Sequence, residues 1–394
     1  MTTNNHPTSV LISQCLMEGS SRYTHGMYVD LRYGNVSVIN STFKSLARPI
    51  DLRFHDQCQN INIERNRVEN TLSQRHIDLY KSGSGKSENC TLNIVDNIVS
   101  QDSGDTSQTG GVRVWARYDI MRINLDRNSL SGINYLALYL YLYHTSALVS
   151  VSENVIADCE KAMHVEAYGG SATVSIHQNT VLRNFGTDII KLITADYLKR
   201  PLEFERNSMR NNSNTVVTVE ASNALLHYNV FNNPDATSNI KVSTSQGGYG
   251  DVNATLNYWG SVDSRQIAGK LYDQRSNPAL PLVIYQPYFE NSSLSSVYEE
   301  TRRFVTPDGI LGGDVNGNVT LTVEGSPYTA VSSINVLPGD VLQVEAGVEI
   351  NFLPNIGVTV EGALIVEGNI DNPVNFLPQS TEKKWRGIEF LHTE

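Results

Sequence analysis

The stretch Val149-Ser-Val151-Ser-Glu-Asn154-Val-Ile156 places apolar residues five before, three before and two after an asparagine. The same frame recurs around Asn66 (Ile61, Ile63, Val68), Asn97 (Leu92, Ile94, Val99) and Asn128 (Ile123, Leu125, Leu130). It returns around Asn179 (Val174, Ile176, Val181) and Asn207 (Leu202, Phe204, Met209). Asn229 and Asn257 continue it more loosely, through Leu226 and Phe231, then Val252 and Trp259. Upstream, Ser41 (Val36, Val38, Phe43) and Cys15 (Val10, Ile12, Met17) hold the same slot without asparagine. Successive slots lie 22 to 31 residues apart, the spacing of a solenoid repeat.

Each repeat carries a second short alternation upstream: Val29-Asp-Leu31, Ile50-Asp-Leu52, Ile77-Asp-Leu79, Val112-Arg-Val114, Leu138-Tyr-Leu140, Met163-His-Val165, Ile190-Lys-Leu192, Val217-Thr-Val219 and Ile240-Lys-Val242. Apolar residues two apart mean a strand with one buried face, and such runs are too short for helices. Short strands repeated once per coil predict an all-β chain, a right-handed parallel β-helix of the pectin-lyase-like kind. Rungs then stack about 4.8 Å apart and like residues form columns. Asparagine makes up about a tenth of the chain, above its usual share. The corner between faces explains it: Asn tolerates the left-handed conformation there, and stacked amides can hydrogen-bond along the column.

The chain has 394 residues and a formal net charge of -11, with 18% charged and 40% hydrophobic residues. This is too apolar for disorder, and the acidic balance opposes nucleic-acid binding. No basic region followed by an apolar run opens the sequence, and no apolar run reaches the ~18 residues of a membrane span. The last residues, Trp385 to Glu394, stop within a strand pattern, so the chain reads as an internal fragment of a longer protein.

Three segments are expected: a β-helix of about ten rungs over 1–260, a cap and linker over 261–310, and the first rungs of a second β-helix over 311–394. The middle one contains Asn277-Pro278, Pro281 and Pro287, with a short helix around Gln266 to Tyr272. The third alternates again, as in Val348-Glu-Ile350-Asn-Phe352, between Gly and Pro turns.

Asn257-Tyr-Trp-Gly260, Tyr285-Gln-Pro-Tyr-Phe289 and Asp308-Gly-Ile-Leu-Gly-Gly313 resemble the junctions between repeats in the Bark beetle/Anakonda family. So do Val336-Leu-Pro-Gly-Asp-Val-Leu-Gln-Val-Glu-Ala-Gly-Val348 and Trp385-Arg-Gly-Ile388. The resemblance is strongest over about 250–394 and architectural before that. It implies a segment of a large, membrane-anchored protein on the extracellular face of epithelial tricellular (septate) junctions, with roles in adhesion and barrier formation. Its partners would be other junction proteins or sister copies.

Many β-helices cleave acidic polysaccharides. The Asn-Thr-Asp, Asp-Asp and Gly-His-Gly motifs of the hydrolases are absent, and Arg122-Ile-Asn124 lacks the Lys that follows in the lyases. No catalytic residue and no cofactor is therefore assigned; a carbohydrate-active β-helix is the alternative, and a secreted microbial adhesin a third. The Ser82-Gly-Ser-Gly-Lys86 run reads as a surface loop, and the scattered histidines, His164 among them, as surface groups.

Asp30, Asp51 and Asp78 occupy equivalent outward positions, a column that either binds Ca²⁺ or pairs with Arg32 and Arg53 two residues on. The next outward column reads Arg32, Arg53, Tyr80, Trp115, Tyr141, Glu166, with Tyr139 and Tyr143 beside Tyr141. Such an aromatic ladder with arginine at one end is a candidate partner or glycan surface. Cys58 and Cys90 lie at neighbouring positions of adjacent rungs and can form a disulfide, whereas Cys15 and Cys159 are about five rungs apart. Sequons at Asn35, Asn40, Asn89, Asn211, Asn253, Asn291 and Asn318 avoid the ladder slots and are candidates for N-glycosylation.

Overall fold

The computed structural model describes residues 8–20, 23–72, 75–82, 90–102, 109–118, 120–194, 201–221, 224–243, 250–277, 279–298, 304–305, 309–315, 317–379 and 384–391, save the side chains of 56–58, 170 and 265. The chain is a parallel β-solenoid of about 13 turns in two compact units, Met1–Tyr298 and Glu299–Glu394.

In the first unit, period-two alternation becomes inward columns. Ile50, Ile77, Val112, Leu138, Met163, Ile190, Val217, Ile240 and Leu271 face one another in register from coil to coil, and all are buried. On the next face Ile61, Leu92, Ile123, Val149 and Val174 do the same. Long strands carry both faces. Leu136–Ser152 pairs with Gly110–Arg117 through its first half and with Ile120–Asp126 through its second, bending at His144, whose φ is 51°.

The third face is a nine-stranded sheet of three-residue strands, each beginning one residue after an asparagine-slot position. Its middle residues Phe43, Val68, Val99, Leu130, Ile156, Val181, Met209 and Phe231 point inward. Burial of such a side chain stabilises by roughly 1.5–3 kcal/mol relative to exposure, and the columns repeat this on every coil. Gly132 closes one corner: its φ is +68° and a Cβ would lie 2.1 Å from the Gln101 carbonyl oxygen, so no other residue fits.

One register differs from expectation. Met27 and Val29, not Val29 and Leu31, stand opposite Ile50 and Leu52, and two one-residue irregularities, between Leu31 and Tyr33 and between Gly34 and Val36, bring Val36 opposite Ile61. A slide of two residues leaves the inward–outward pattern unchanged, so alternation cannot detect it.

The segment after Gly260 is partly a continuation of the coil. Leu271–Tyr272 and Val283–Ile284 extend the large sheet in parallel, and Leu271 and Val283 take inward slots. The helix Ser264–Gly269 lies just before them, and Trp259 stacks on Phe231 at 4.8 Å and 9°. No helix among the described residues is long and apolar enough to cross a membrane.

In the second unit, six strands (Ile310–Val315, Tyr328–Val336, Glu349–Phe352, Gly357–Val360, Asn375–Pro378, Gly387–Phe390) form one sheet and Asn318–Leu321, Val341–Val344 and Ala363–Val366 another, with parallel pairing throughout. Ile334, Val336, Val344, Ile350 and Phe352 fill its interior.

Candidate functional site

Two lateral features carry side-chain chemistry: the laddered corners and the outward face of the large sheet. At the first corner Asn66, Asn97, Asn128, Asn154, Asn179, Asn207, Asn229 and Asn257 form one buried column. From Asn97 onward each Oδ1 accepts from both the backbone N and the Nδ2 of the preceding asparagine; from Asn179 to Asn207 the distances are 3.0 and 2.9 Å. Each Nδ2 also donates to a carbonyl of the coil before, as Asn207 does to Ile176 O at 2.9 Å. Ser41 N donates to Asn66 Oδ1 and Cys15 N to Ser41 Oγ, so the column runs on through the two slots that lack asparagine.

The left-handed residue at this corner is not the asparagine but the one before it. Arg65, Asp96, Arg127, Glu153, Gln178, Arg206, Tyr228 and Leu256 all have φ between 52° and 57°, apart from Gln178 at 58°. The preceding residue makes the turn, which frees the asparagine backbone to keep both its N–H and C=O in the ladder.

A second ladder was missed by the sequence reading. Cys159 N donates to Asn184 Oδ1, Asn184 to Asn212 Oδ1 and Asn212 to Asn233 Oδ1, through backbone N and, for the asparagines, Nδ2. The signal was the offset of five, five and four residues from Asn179, Asn207 and Asn229. It spans only three asparagines, among loop asparagines of similar spacing.

On the outward face, Asp51 stands opposite Asp78, and Asp78 opposite Arg113. Asp30 is not in that column. It stands opposite Arg53, because of the two-residue slide, and Arg32 accordingly heads no aromatic column. Arg53 Nε donates to Asp51 Oδ1 at 2.7 Å and its Nη2 reaches Asp78 Oδ2 at 3.4 Å. Arg113 grips Asp78 with two bonds of 2.6 and 2.5 Å, while Arg48 and Arg75 lie 3.5 and 3.9 Å from Asp51 and Asp78. Asp30 is exposed and takes Tyr28 Oη at 3.1 Å and His55 Nε2 at 2.9 Å. The three carboxylates thus do not converge, and two are held by guanidiniums.

The aromatic column is in register: Arg53, Tyr80, Trp115, Tyr141 and Glu166 face one another in turn. Tyr80 and Trp115 centroids are 5.9 Å apart, Trp115 and Tyr141 4.8 Å, and Tyr141 and Tyr143 lie nearly parallel at 6.3 Å. Arg53 sits over Tyr80 at 5.6 Å, and Arg117, which the sequence reading passed over, over Trp115 at 4.9 Å. The rings are half-buried, largely against each other. Farther along, Tyr139 Oη donates to Glu166 Oε1 at 3.0 Å and His164 Nε2 lies 3.1 Å from the same oxygen. Burial, then the Glu166 charge, push the Tyr139 hydroxyl well above its ordinary range; burial also depresses His164. Glu220, buried, pairs with Lys191 at 3.0 Å.

Cys90 is disulfide-bonded and Cys15 and Cys159 are free thiols; the side chain of Cys58 lies outside the described residues. Of the sequons, Asn40, Asn211 and Asn318 are exposed and Asn35, Asn253 and Asn291 half-buried, while Asn89 lies outside the described residues, as does most of the Ser82–Lys86 run. Asn253 Oδ1 already accepts Thr255 Oγ1 at 3.0 Å, and Asn291 Oδ1 accepts Ser293 Oγ at 2.6 Å.

No protein-family model matches the chain. It is 31% identical over 134 residues to protein bark beetle of Drosophila melanogaster, an overlap of 32% of this chain and 4% of that protein. The chain therefore spans only a small part of the length of the curated relative it matches. Over the part that it covers, this similarity supports the Bark beetle family, the one that the motifs of 250–394 resemble.

Proposed function

We propose that the chain is a non-enzymatic structural segment of a large cell-surface protein, exposed on the extracellular side of epithelial tricellular contacts, where it helps to organise the junction and its barrier. The observation that carries the reading is the unbroken ladder from Cys15 to Asn257. Each coil is bonded side chain to backbone to the next, so the unit is built to hold its lateral faces in fixed register. Supporting it is the similarity to protein bark beetle. The carboxylates Asp51 and Asp78, the first suspects for acid–base work on this face, are engaged by Arg53 and Arg113, which disfavours proton exchange with a substrate.

The role requires contact with junction partners or with sister copies. Beads coated with the chain are expected to cluster, alone or with beads bearing junction ectodomains, above beads coated with an unrelated β-solenoid. Dispersed beads in every pairing, or robust turnover of polygalacturonate by the chain, would overturn the reading.

A further inference from the structure

The arginines on the outward face are unequal. Arg53, Arg75 and Arg113 each lie against Asp51 or Asp78. Arg117 stands four residues beyond Arg113 on the same strand, opposite Tyr143, and has no carboxylate partner among the described residues. Its guanidinium is instead held by rings, 4.9 Å from the Trp115 centroid, 5.6 Å from Tyr143 and 5.7 Å from Tyr141. Arg117 Nε and Trp115 Nε1 are shielded from solvent and meet no acceptor among the described residues. These two N–H groups are closed to an incoming ligand, so an acceptor oxygen meets the remainder of the half-exposed Arg117 guanidinium, whose charge no described carboxylate offsets.

Charge narrows the ligand. The chain is acidic, at -11, yet this strip sets Arg53, Arg75, Arg113 and Arg117 against Asp51 and Asp78. A local positive strip on an acidic body draws a small anion and repels a long polyanion. Planar guanidinium matches a carboxylate or sulfate with two parallel bonds. Beside it, Tyr141 and Tyr143 lie 7° from parallel and half-exposed, ring faces on which the C–H edge of a pyranose can rest. Glu166, beyond Tyr141, closes the strip with negative charge and fixes which end of the ligand carries the anion.

We propose that Arg117, with Trp115, Tyr141 and Tyr143, forms a binding site for an acidic saccharide, a short glycan whose carboxylate or sulfate docks on the Arg117 guanidinium. The site deepens the reading of this segment as a contact surface, since it names the chemistry of one partner. It does not depend on the junction assignment.

The test is calorimetric titration of the chain with hyaluronan tetrasaccharide, which carries uronates, against neutral chitotetraose and a Glu-rich peptide, at low salt. The acidic sugar is expected to bind at least about tenfold tighter than the neutral one, with the gap narrowing as salt is raised. Arg117→Gln should abolish the preference; Arg117→Lys should keep part of it; Tyr143→Ala should weaken both sugars alike. Arg183→Gln, on another face, should change nothing. Equal affinity for the two sugars, a preference that survives Arg117→Gln, or tighter binding of the peptide would each overturn the proposal. Bead clustering measured in the same buffers separates the two readings: a chain that clusters yet binds neither sugar defeats this inference alone.

Discussion

Asn128 Oδ1 accepts two hydrogen bonds from Asn97, from its backbone N at 3.0 Å and from its Nδ2 at 2.9 Å, and Asn128 Nδ2 donates in turn to Ile94 O at 2.8 Å. Truncating that one amide takes the acceptor from the buried Asn97 backbone N–H and one partner each from Asn97 Nδ2, Ile94 O and Asn154 Oδ1, although Asn97 Nδ2 keeps Ile63 O and Asn154 Oδ1 keeps the Asn128 backbone N–H. At ~1–3 kcal/mol for an orphaned buried group, Asn128→Ala is expected to cost about 2 kcal/mol or more. Asn40→Ala, at an exposed corner with one bond to Arg65, should cost under ~1 kcal/mol. Denaturant midpoints of the two variants check this; equal midpoints would refute it.

His76 is buried, with its ring nitrogens 2.9 Å from Gly110 O and 3.3 Å from Ser100 O, and burial depresses its pKa despite those carbonyls. The folded protein therefore holds it neutral, while the unfolded chain takes up the proton near ~6.5. Its contribution is fully present above that pH and is lost as pH falls below it. Unfolding midpoints measured from neutral to mildly acidic pH should decline for the wild type, and less steeply for His76→Gln.

Asp78 faces Arg53, Arg75 and Arg113 together. Asp78→Ala would leave three cations crowded on a mostly buried position and is expected to cost ~2–4 kcal/mol, toward the lower part of the range for a broken buried pair. Millimolar Ca²⁺ should not move the thermal midpoint, because the carboxylate lone pairs of Asp51 and Asp78 already accept from guanidiniums. A rise in midpoint that a chelator reverses would show that Ca²⁺ displaces them.

The thiols should separate kinetically. Cys15 is exposed, whereas burial pushes the Cys159 thiol up to about 12. An aromatic disulfide reagent at neutral pH should therefore titrate Cys15 at once and Cys159 only after denaturant is added. Cys90 should respond only after reduction. Rapid modification of Cys159 in the folded protein would contradict the burial.

What the sequence made legible was what repeats. The frame around Asn154 recurs often enough that chance loops are excluded, and the columns from Ile50 to Ile240 follow directly from it. Where the repeat is silent, reading failed. The slide that puts Asp30 beside Arg53 preserves every inward residue, so nothing in the hydrophobic pattern marks it. The left-handed position belongs to residues as unlike as Arg127, Glu153 and Leu256, which share a backbone angle and no side-chain chemistry. Arg117 escaped notice because its environment is made by Tyr143 and Trp115, one from a different coil.

Between the two ladders the path is nearly invariant: Asn154 to Cys159, Asn179 to Asn184 and Asn207 to Asn212 are each five residues, although whole coils vary from 22 to 31. On the coils from Cys159 to Asn233 one side is thus clamped at both ends by interior hydrogen bonds, and variation in length is pushed to the opposite flank. Insertions there need not disturb the hydrogen-bonded spine. A lineage carrying this scaffold could diversify what it touches, coil by coil, while inheriting the same unbending backbone.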